Sequence, residues 1–387
     1  MKNHAVTTKP FRILPRRLLL AAALPMVFLF AGCDVHEFPS EEPAPAPIVE
    51  GKFRLRLSFD TNMPLYKEIV YENGTTVDPA AKKPSRDPDN FQVRHIVNVY
   101  PAVRSGEYSR SSQMAVERVM PLADGLDTTI EFDIPEGDYR VLVWTDYIGP
   151  GAPGGEFYNA SDFNEIILAD RQKYTGDTDF RDAFRGQADV IVDYGPDYNP
   201  NRADETVVVE TTVEMVRPLA KYRFITTDLG KFVDQQIQAN KLALAGQEVT
   251  SADDSSRDPS RFIDLSQFRV RFRYPQYMPC SFNMFTNRPA DSWTGMSYDA
   301  EIRQMSATEA EVGFDYVFVN GAESSVAVAL DVLDCGGALI ASIPTVSVPL
   351  KRSKLTEVRS EFLTTKAGGA VGIDPGYAGP DYNIFIP

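Results

Sequence analysis

Histidine, cysteine and paired carboxylates do most enzymatic acid–base and nucleophilic chemistry, and this chain is poor in the first two. Of its 387 residues three are histidine and three are cysteine. His4 and His36 fall within the first fifty residues, so only His95 lies in a segment patterned to fold. A metal centre built on several histidines is therefore excluded, and a serine or cysteine triad would rest on His95 alone. His95 sits among Phe91, Val93, Val97 and Val99 on one apolar strand face, the setting of a core histidine. Carboxylates are so abundant, at 54, that a pair of them says nothing about glycoside hydrolysis. Asp177, Asp179, Asp182 and Asp189, or Asp253, Asp254 and Asp258, offer oxygen ligands, but their spacing departs from the regular calcium loop. Solvated loops are expected there. No His-Glu-x-x-His, Gly-x-Ser-x-Gly, phosphate loop or dinucleotide fingerprint occurs. No catalytic residue, metal ligand or cofactor is assigned, and the expectation is a protein that is not an enzyme. Aromatic side chains leave one binding chemistry open: Trp293 and Tyr298 are candidates for stacking on a sugar, while Trp144, in mid-strand, is expected in the core.

Cys280 and Cys335 form an even pair, and a bridge between them would close a loop of about 56 residues, contributing about 4 kcal/mol in the chain-entropy picture. Two separate thiols are the alternative. The third cysteine has a different setting. Lys2, Lys9, Arg12, Arg16 and Arg17 form a basic start without acid, Leu18 to Phe30 is an apolar run of 13 residues, and Ala31-Gly32-Cys33 follows. That order is a secretory signal with small residues at its cut. The run is short of the roughly 20 residues that span a bilayer. Leu29-Phe30-Ala31-Gly32-Cys33 resembles a bacterial lipobox, with Phe30 where leucine is usual. The resemblance implies cleavage before Cys33 and a covalent lipid on it. Residues 33–50 carry Pro39, Pro43, Pro45 and Pro47 with Glu37, Glu41 and Glu42, a composition that cannot bury a core. As an extended tether it reaches roughly 50 Å, at about 3.1 Å per residue.

The rest of the chain must supply the scaffold. The net charge of −15 grows to about −20 once the five basic residues of the signal are removed, which argues against a nucleic-acid partner. The dominant period is two. Phe53, Leu55, Leu57 and Phe59 share one face; Ile130, Phe132 and Ile134 repeat the pattern, and Pro135-Glu136-Gly137-Asp138 supplies a turn. Tyr139 to Thr145 is apolar on both faces, which predicts a central strand. Val207 to Met215 and Tyr222 to Thr226 alternate on either side of Arg217-Pro218, where the domain boundary is expected. Leu229–Leu244 is the one predicted helix, with Phe232, Val233 and Ile237 on one face. Further strands are expected at Phe268–Tyr274, Val312–Val319, Ser325–Val332, Ala338–Val348 and Leu355–Phe362, with Pro344 and Pro349 marking an edge or bulges. Many short strands separated by turns predict an all-β, antiparallel sandwich architecture.

Particular segments resemble a known group. Cys33-Asp34-Val35-His36-Glu37-Phe38-Pro39, Ile134 to Trp144, Phe282-Asn283-Met284-Phe285-Thr286, Val348 to Arg352 and Gly372 to Tyr377 are similar to stretches of Bacteroidales lipoproteins of the fimbrillin and fimbrial-anchor superfamily. The resemblance implies two tandem transthyretin-like Greek-key β-sandwiches with one short helix, at 51–216 and 217–387, after a signal at 1–32 and a tether at 33–50. It further implies a surface-exposed lipoprotein of the outer membrane that anchors or extends a fimbrium. Its partners would be fimbrial subunits joined by strand insertion, and host or microbial glycans. A non-polymerising carbohydrate- or protein-binding surface lipoprotein is the alternative.

The lipid reading has a direct check. Cys33→Ser is expected to move the protein from the membrane fraction to the soluble fraction of lysed cells; continued membrane retention would rule the anchor out.

Overall fold

Alternation in the sequence becomes strands wherever one face can be buried. A computed structural model describes residues 51–70, 91–149, 155–195, 207–243 and 263–365, all within one unit, Val49–Pro387. Cys33, the expected signal at 1–32 and tether at 33–50, the loop expected at 251–260 and the tail from residue 366 lie outside the described residues. The strands before residue 217 are β1 (Gly51–Phe59), β2 (Leu65–Val70), β3 (Gln92–Arg104), β4 (Glu107–Tyr108), β5 (Met114–Pro121), β6 (Thr128–Ile134), β7 (Gly137–Ile148), β8 (Tyr158–Asn159), β9 (Ile166–Leu168), β10 (Ala183–Val192) and β11 (Val208–Met215). After it come β12 (Leu219–Thr226), helix α1 (Leu229–Ala243), β13 (Phe268–Tyr274), β14 (Met278–Pro279), β15 (Ser281–Asn283), β16 (Arg288–Pro289), β17 (Ser292–Trp293) and β18 (Met296–Glu301). The described chain ends with β19 (Arg303–Gln304), β20 (Ala310–Phe318), β21 (Glu323–Asp334), β22 (Leu339–Lys351) and β23 (Leu355–Ser360).

In the first half, the sheet β11-β1-β6 faces a sheet ordered β10-β7-β3, to which β4 and β5 add. Between them lies a core of Phe53, Leu55, Leu57, Val97, Val99, Val141, Val143 and Val213. β7 is central, as its two apolar faces require. Its odd-numbered valines enter this core, while Leu142 and Trp144, with Ile96 of β3, enter a second and larger one. That second core continues into the other half, between the sheets β19-β20-β12-β23-β2 and β18-β13-β21-β22. Phe224 of β12 meets Phe272 of β13 edge-to-face at 5.5 Å. The fully buried Phe232 of α1 closes on Phe268 at 5.0 Å.

The sheets are mixed, which corrects the expectation of antiparallel pairing throughout. β1 runs parallel to β11 over Lys52–Phe59, and β23 runs parallel to both β12 and β2. Among the described residues, the first and last strands of each half are parallel neighbours, and alternation alone does not encode strand direction. β22 ends its sheet, and the register shift against β21 bulges Pro344 and Thr345 opposite Ala329. β2, β5, β10 and β18 are additional to the expected strands; β2 and β5 bury no residue.

The cysteine pair also needs correction. Cys280 is buried beside β15, Cys335 is exposed in the turn between β21 and β22, and both are free thiols. One enters the core at a strand end while the other sits at a hairpin tip. Burial pushes the Cys280 thiol up to about 12.

His95 is fully buried, its Nδ1 lying 2.9 Å from Thr145 Oγ1 while Nε2 has no hydrogen-bond partner. Burial, and then the charge of Arg118 on the neighbouring β5, hold its imidazole down to about 4. An unpaired nitrogen sealed among Phe59 and strand side chains has no route to a substrate.

Two measurements test these placements. In Cys33→Ser protein, a thiol reagent is expected to react with Cys335 in the native state and with Cys280 only on unfolding; two unreactive cysteines would restore the bridge. His95 predicts acid sensitivity, because between pH 6.5 and about 4 the unfolded chain binds a proton that the folded one refuses. Its contribution is fully present above the unfolded pKa and falls by about 3 kcal/mol as pH drops through that window. The urea midpoint should follow it, and His95→Leu should remove that part of the pH dependence; matching profiles would exclude His95 as the source.

Candidate functional site

Between β7 and β10 the chain leaves the first half, covers the second and returns. β9 pairs with β15 across the two halves, Ile166 opposite Phe282 and Ile167 opposite Ser281. The same excursion carries Tyr158, Tyr174 and Arg181 into the larger core, where they meet an acid buried without exposure, Asp315 of β20. Tyr174 and Tyr274 each donate to Asp315 Oδ2 at 2.5 Å. The Arg181 guanidinium stands 3.5 Å from Oδ1, and the backbone N–H of Tyr316 donates to the same oxygen at 2.7 Å. Tyr222 links Tyr274 at 2.6 Å and Tyr298 at 3.2 Å, and Tyr298 donates to the Phe314 carbonyl at 3.0 Å. Arg181 also donates to the Thr175 carbonyl at 3.0 Å, and Tyr158 donates to the carbonyl of Arg181 at 2.6 Å.

Burial raises the Asp315 carboxyl, while Arg181 and the two tyrosine hydroxyls pull it back. For Arg181 burial works downward, but Asp315 and the surrounding phenols outweigh it and hold the guanidinium charged. Burial raises all of these phenols well above their ordinary range. The cluster therefore contains an acid and a cation that satisfy each other, with neither open to solvent. Chemically it braces the two halves: removing one member of such a pair costs about 3–5 kcal/mol, because the other is left buried and uncompensated.

Two further buried pairs flank it. Arg94 grips Asp146 with both arms at 2.9 and 2.6 Å, and Trp144 Nε1 donates to the same carboxylate at 3.1 Å. Arg217, at the expected boundary, holds Asp182 at 2.8 Å and donates to the carbonyls of Asp60, Thr61 and Asn62. Burial, partly offset by Arg217, pushes the Asp182 carboxyl up to about 6.

Tyr298 is corrected as a sugar-stacking candidate. It is 5% exposed and its ring lies on Phe272 at 5.0 Å and 6°. The cause is legible in β18, whose Met296, Tyr298 and Ala300 face inward while Ser297 and Asp299 face out. Trp293 is half-buried on β17 opposite Met278, with the Arg171 guanidinium 6.0 Å from its ring centre. The structure does not bring the two aromatics into one platform. Exposed Tyr277 lies next to β14, outside the aromatic candidates chosen from sequence. A shallow surface pocket beside the buried cluster is lined by Glu156, Phe157, Asp170, Lys173, Thr175 and Arg181, among others. Among the described residues no group of three His, Cys, Asp or Glu side chains is placed to hold a metal. Asp315 and Arg181 were not singled out beforehand, although Asp315 is the lone acid in the apolar run from Val312 to Val319.

The chain is similar to several solved structures, at low identity. The fimbrial anchor protein Mfa2 from Porphyromonas gingivalis is 12% identical over 75% of this chain and 81% of its own, with a TM-score of 0.30. A candidate cell adhesion protein from Bacteroides eggerthii is 10% identical over 82% of this chain and 88% of its own, TM-score 0.38. A candidate adhesin from Bacteroides ovatus is 10% identical over 88% and 98%, TM-score 0.37. No curated protein matches. The family model described as "Family of unknown function (DUF6562)" matches residues 49–386, and the chain belongs to that family.

Proposed function

We propose that this protein is a lipid-anchored lipoprotein of the outer-membrane surface that fastens or extends a fimbrium and performs no catalysis. The observation that carries the reading is the order of its parts: a lipobox-like Cys33, a proline- and glutamate-rich stretch, then a β-structured body. The fimbrial-anchor-like stretches at 134–144, 282–286 and 348–352 lie on or beside strands of that body. Within it, three buried carboxylates are committed to ion pairs: Asp315 to Arg181, Asp146 to Arg94 and Asp182 to Arg217. We read the halves as two transthyretin-like sandwiches, 51–216 and 217–387. Joining to a pilus subunit by strand pairing requires an open sheet edge; β6, β2 and β18 each end a sheet among the described residues.

Deletion of the gene in the producing bacterium is expected to shed fimbriae into the medium. The wild-type gene should restore them to the cell, and the Cys33→Ser gene should not. Proteolysis of intact cells should degrade the protein. Fimbriae that stay attached after deletion would refute the anchor reading, and glycan-array binding lost in Trp293→Ala would then favour the sugar-binding alternative.

A further inference from the structure

The two halves share a device that their sequences do not share. In the first, the entering strand β1 and the departing strand β11 are parallel neighbours in unbroken register, from Lys52 opposite Val208 to Phe59 opposite Met215. In the second, the entering strand β12 and the last described strand β23 are again parallel neighbours, from Lys221 opposite Leu355 to Thr226 opposite Ser360. Tension that enters at Gly51 and leaves toward Leu219 pulls β1 backward and β11 forward. Tension that enters at Leu219 and leaves beyond Ser360 does the same to β12 and β23. Each pair is then loaded along its length, so that its hydrogen bonds share the force instead of opening one after another.

Each pair also carries a side-chain crossbar just past its C-terminal end. Beyond β1 and β11, Arg217 reaches from the exit of β11 to the carbonyls of Asp60, Thr61 and Asn62, at 3.2, 3.0 and 3.0 Å, while Asp182 fixes its guanidinium. Beyond β12 and β23 the polarity is reversed. The Asp228 carboxylate, following β12, accepts the backbone N–H groups of Leu363 and Thr364 at 3.3 and 2.8 Å, and the Thr364 hydroxyl at 2.7 Å. Thr226 Oγ1 accepts the N–H of Phe362 at 3.1 Å. A cation gathers carbonyls in one half, and an anion gathers N–H groups in the other.

We propose that these are two shear clamps in series, which let the body carry tension between its N-terminal tether and its C-terminal end without unravelling. That the body is under tension rests on the anchored reading above; that the load leaves beyond Ser360 rather than through a sheet edge is part of this proposal, and the clamps themselves rest on neither.

Single-molecule pulling tests the first clamp in Cys33→Ser, Cys335→Ser protein, with handles on introduced cysteines. Lys52→Cys with Glu214→Cys loads β1 against β11 in shear. Lys52→Cys with Asp133→Cys, whose positions face each other at the open end of β1 and β6, peels the same strand. At one loading rate the first geometry is expected to need at least about twice the force of the second. Arg217→Met should lower the shear force and leave the peeling force unchanged. Equal forces in the two geometries would overturn the clamp, and an equal fall in both for Arg217→Met would overturn the crossbar. A protein that resists shear yet stays on membranes as Cys33→Ser would keep the clamp and lose the anchor.

Discussion

A sheet that is apolar on both faces must be covered twice, and this requirement organises the molecule. β3 and β7 send Val97, Val99, Val141 and Val143 to one side and Ile96, Leu142 and Trp144 to the other. The first side is closed by β11-β1-β6, a partner supplied by the same half of the chain. On the second side the described residues of that half supply only the short strands β8 and β9, which share a sheet with β15 and β16. The excursion between β7 and β10 covers it, and its own outer surface is buried in turn against the second half. The two halves are thus joined through a shared hydrophobic interior.

Inside that junction the polar atoms decide how the pieces fit. Burying Arg181 and Asp315 is expensive in desolvation, and well-packed hydrophobic residues would often be at least as stable. What the charged pair adds here is position: Tyr174, Tyr274 and Arg181 converge on one carboxylate, so a shifted excursion would strand charge in an apolar interior. The same logic holds where Arg94 meets Asp146 beneath Trp144.

Much of the fold was legible because burial on one face leaves a period in the residues. β1, β6, β13 and the helix from Leu229 could be read in that way, and so could the central place of β7. Strand direction was not legible: β1 lies beside β11 because of long-range closure, and the parallel pairing has no local signature. β5 and β2, with solvent on most of their side chains, carry too little apolar contrast to announce themselves. The polar junction was half-visible. A single acid amid Val312 to Val319 is anomalous by itself, but its charge partner Arg181 and its donor Tyr174 arrive from far along the chain, and its other donor, Tyr274, from a different strand. Tyr298 was misjudged by its chemistry when the alternation around it was the better guide.

The outer margin of β22 has a further consequence. Proline at 344 and 349 removes two backbone donors from that margin, and the swelling at Pro344 and Thr345 spoils its straightness. On the lipid-anchored reading proposed above, copies held in one plane would meet their neighbours far more often than in free solution. A straight, fully donating border there would invite copies to zip together sideways into unproductive ribbons. The imino acids make that margin a poor template for strand pairing.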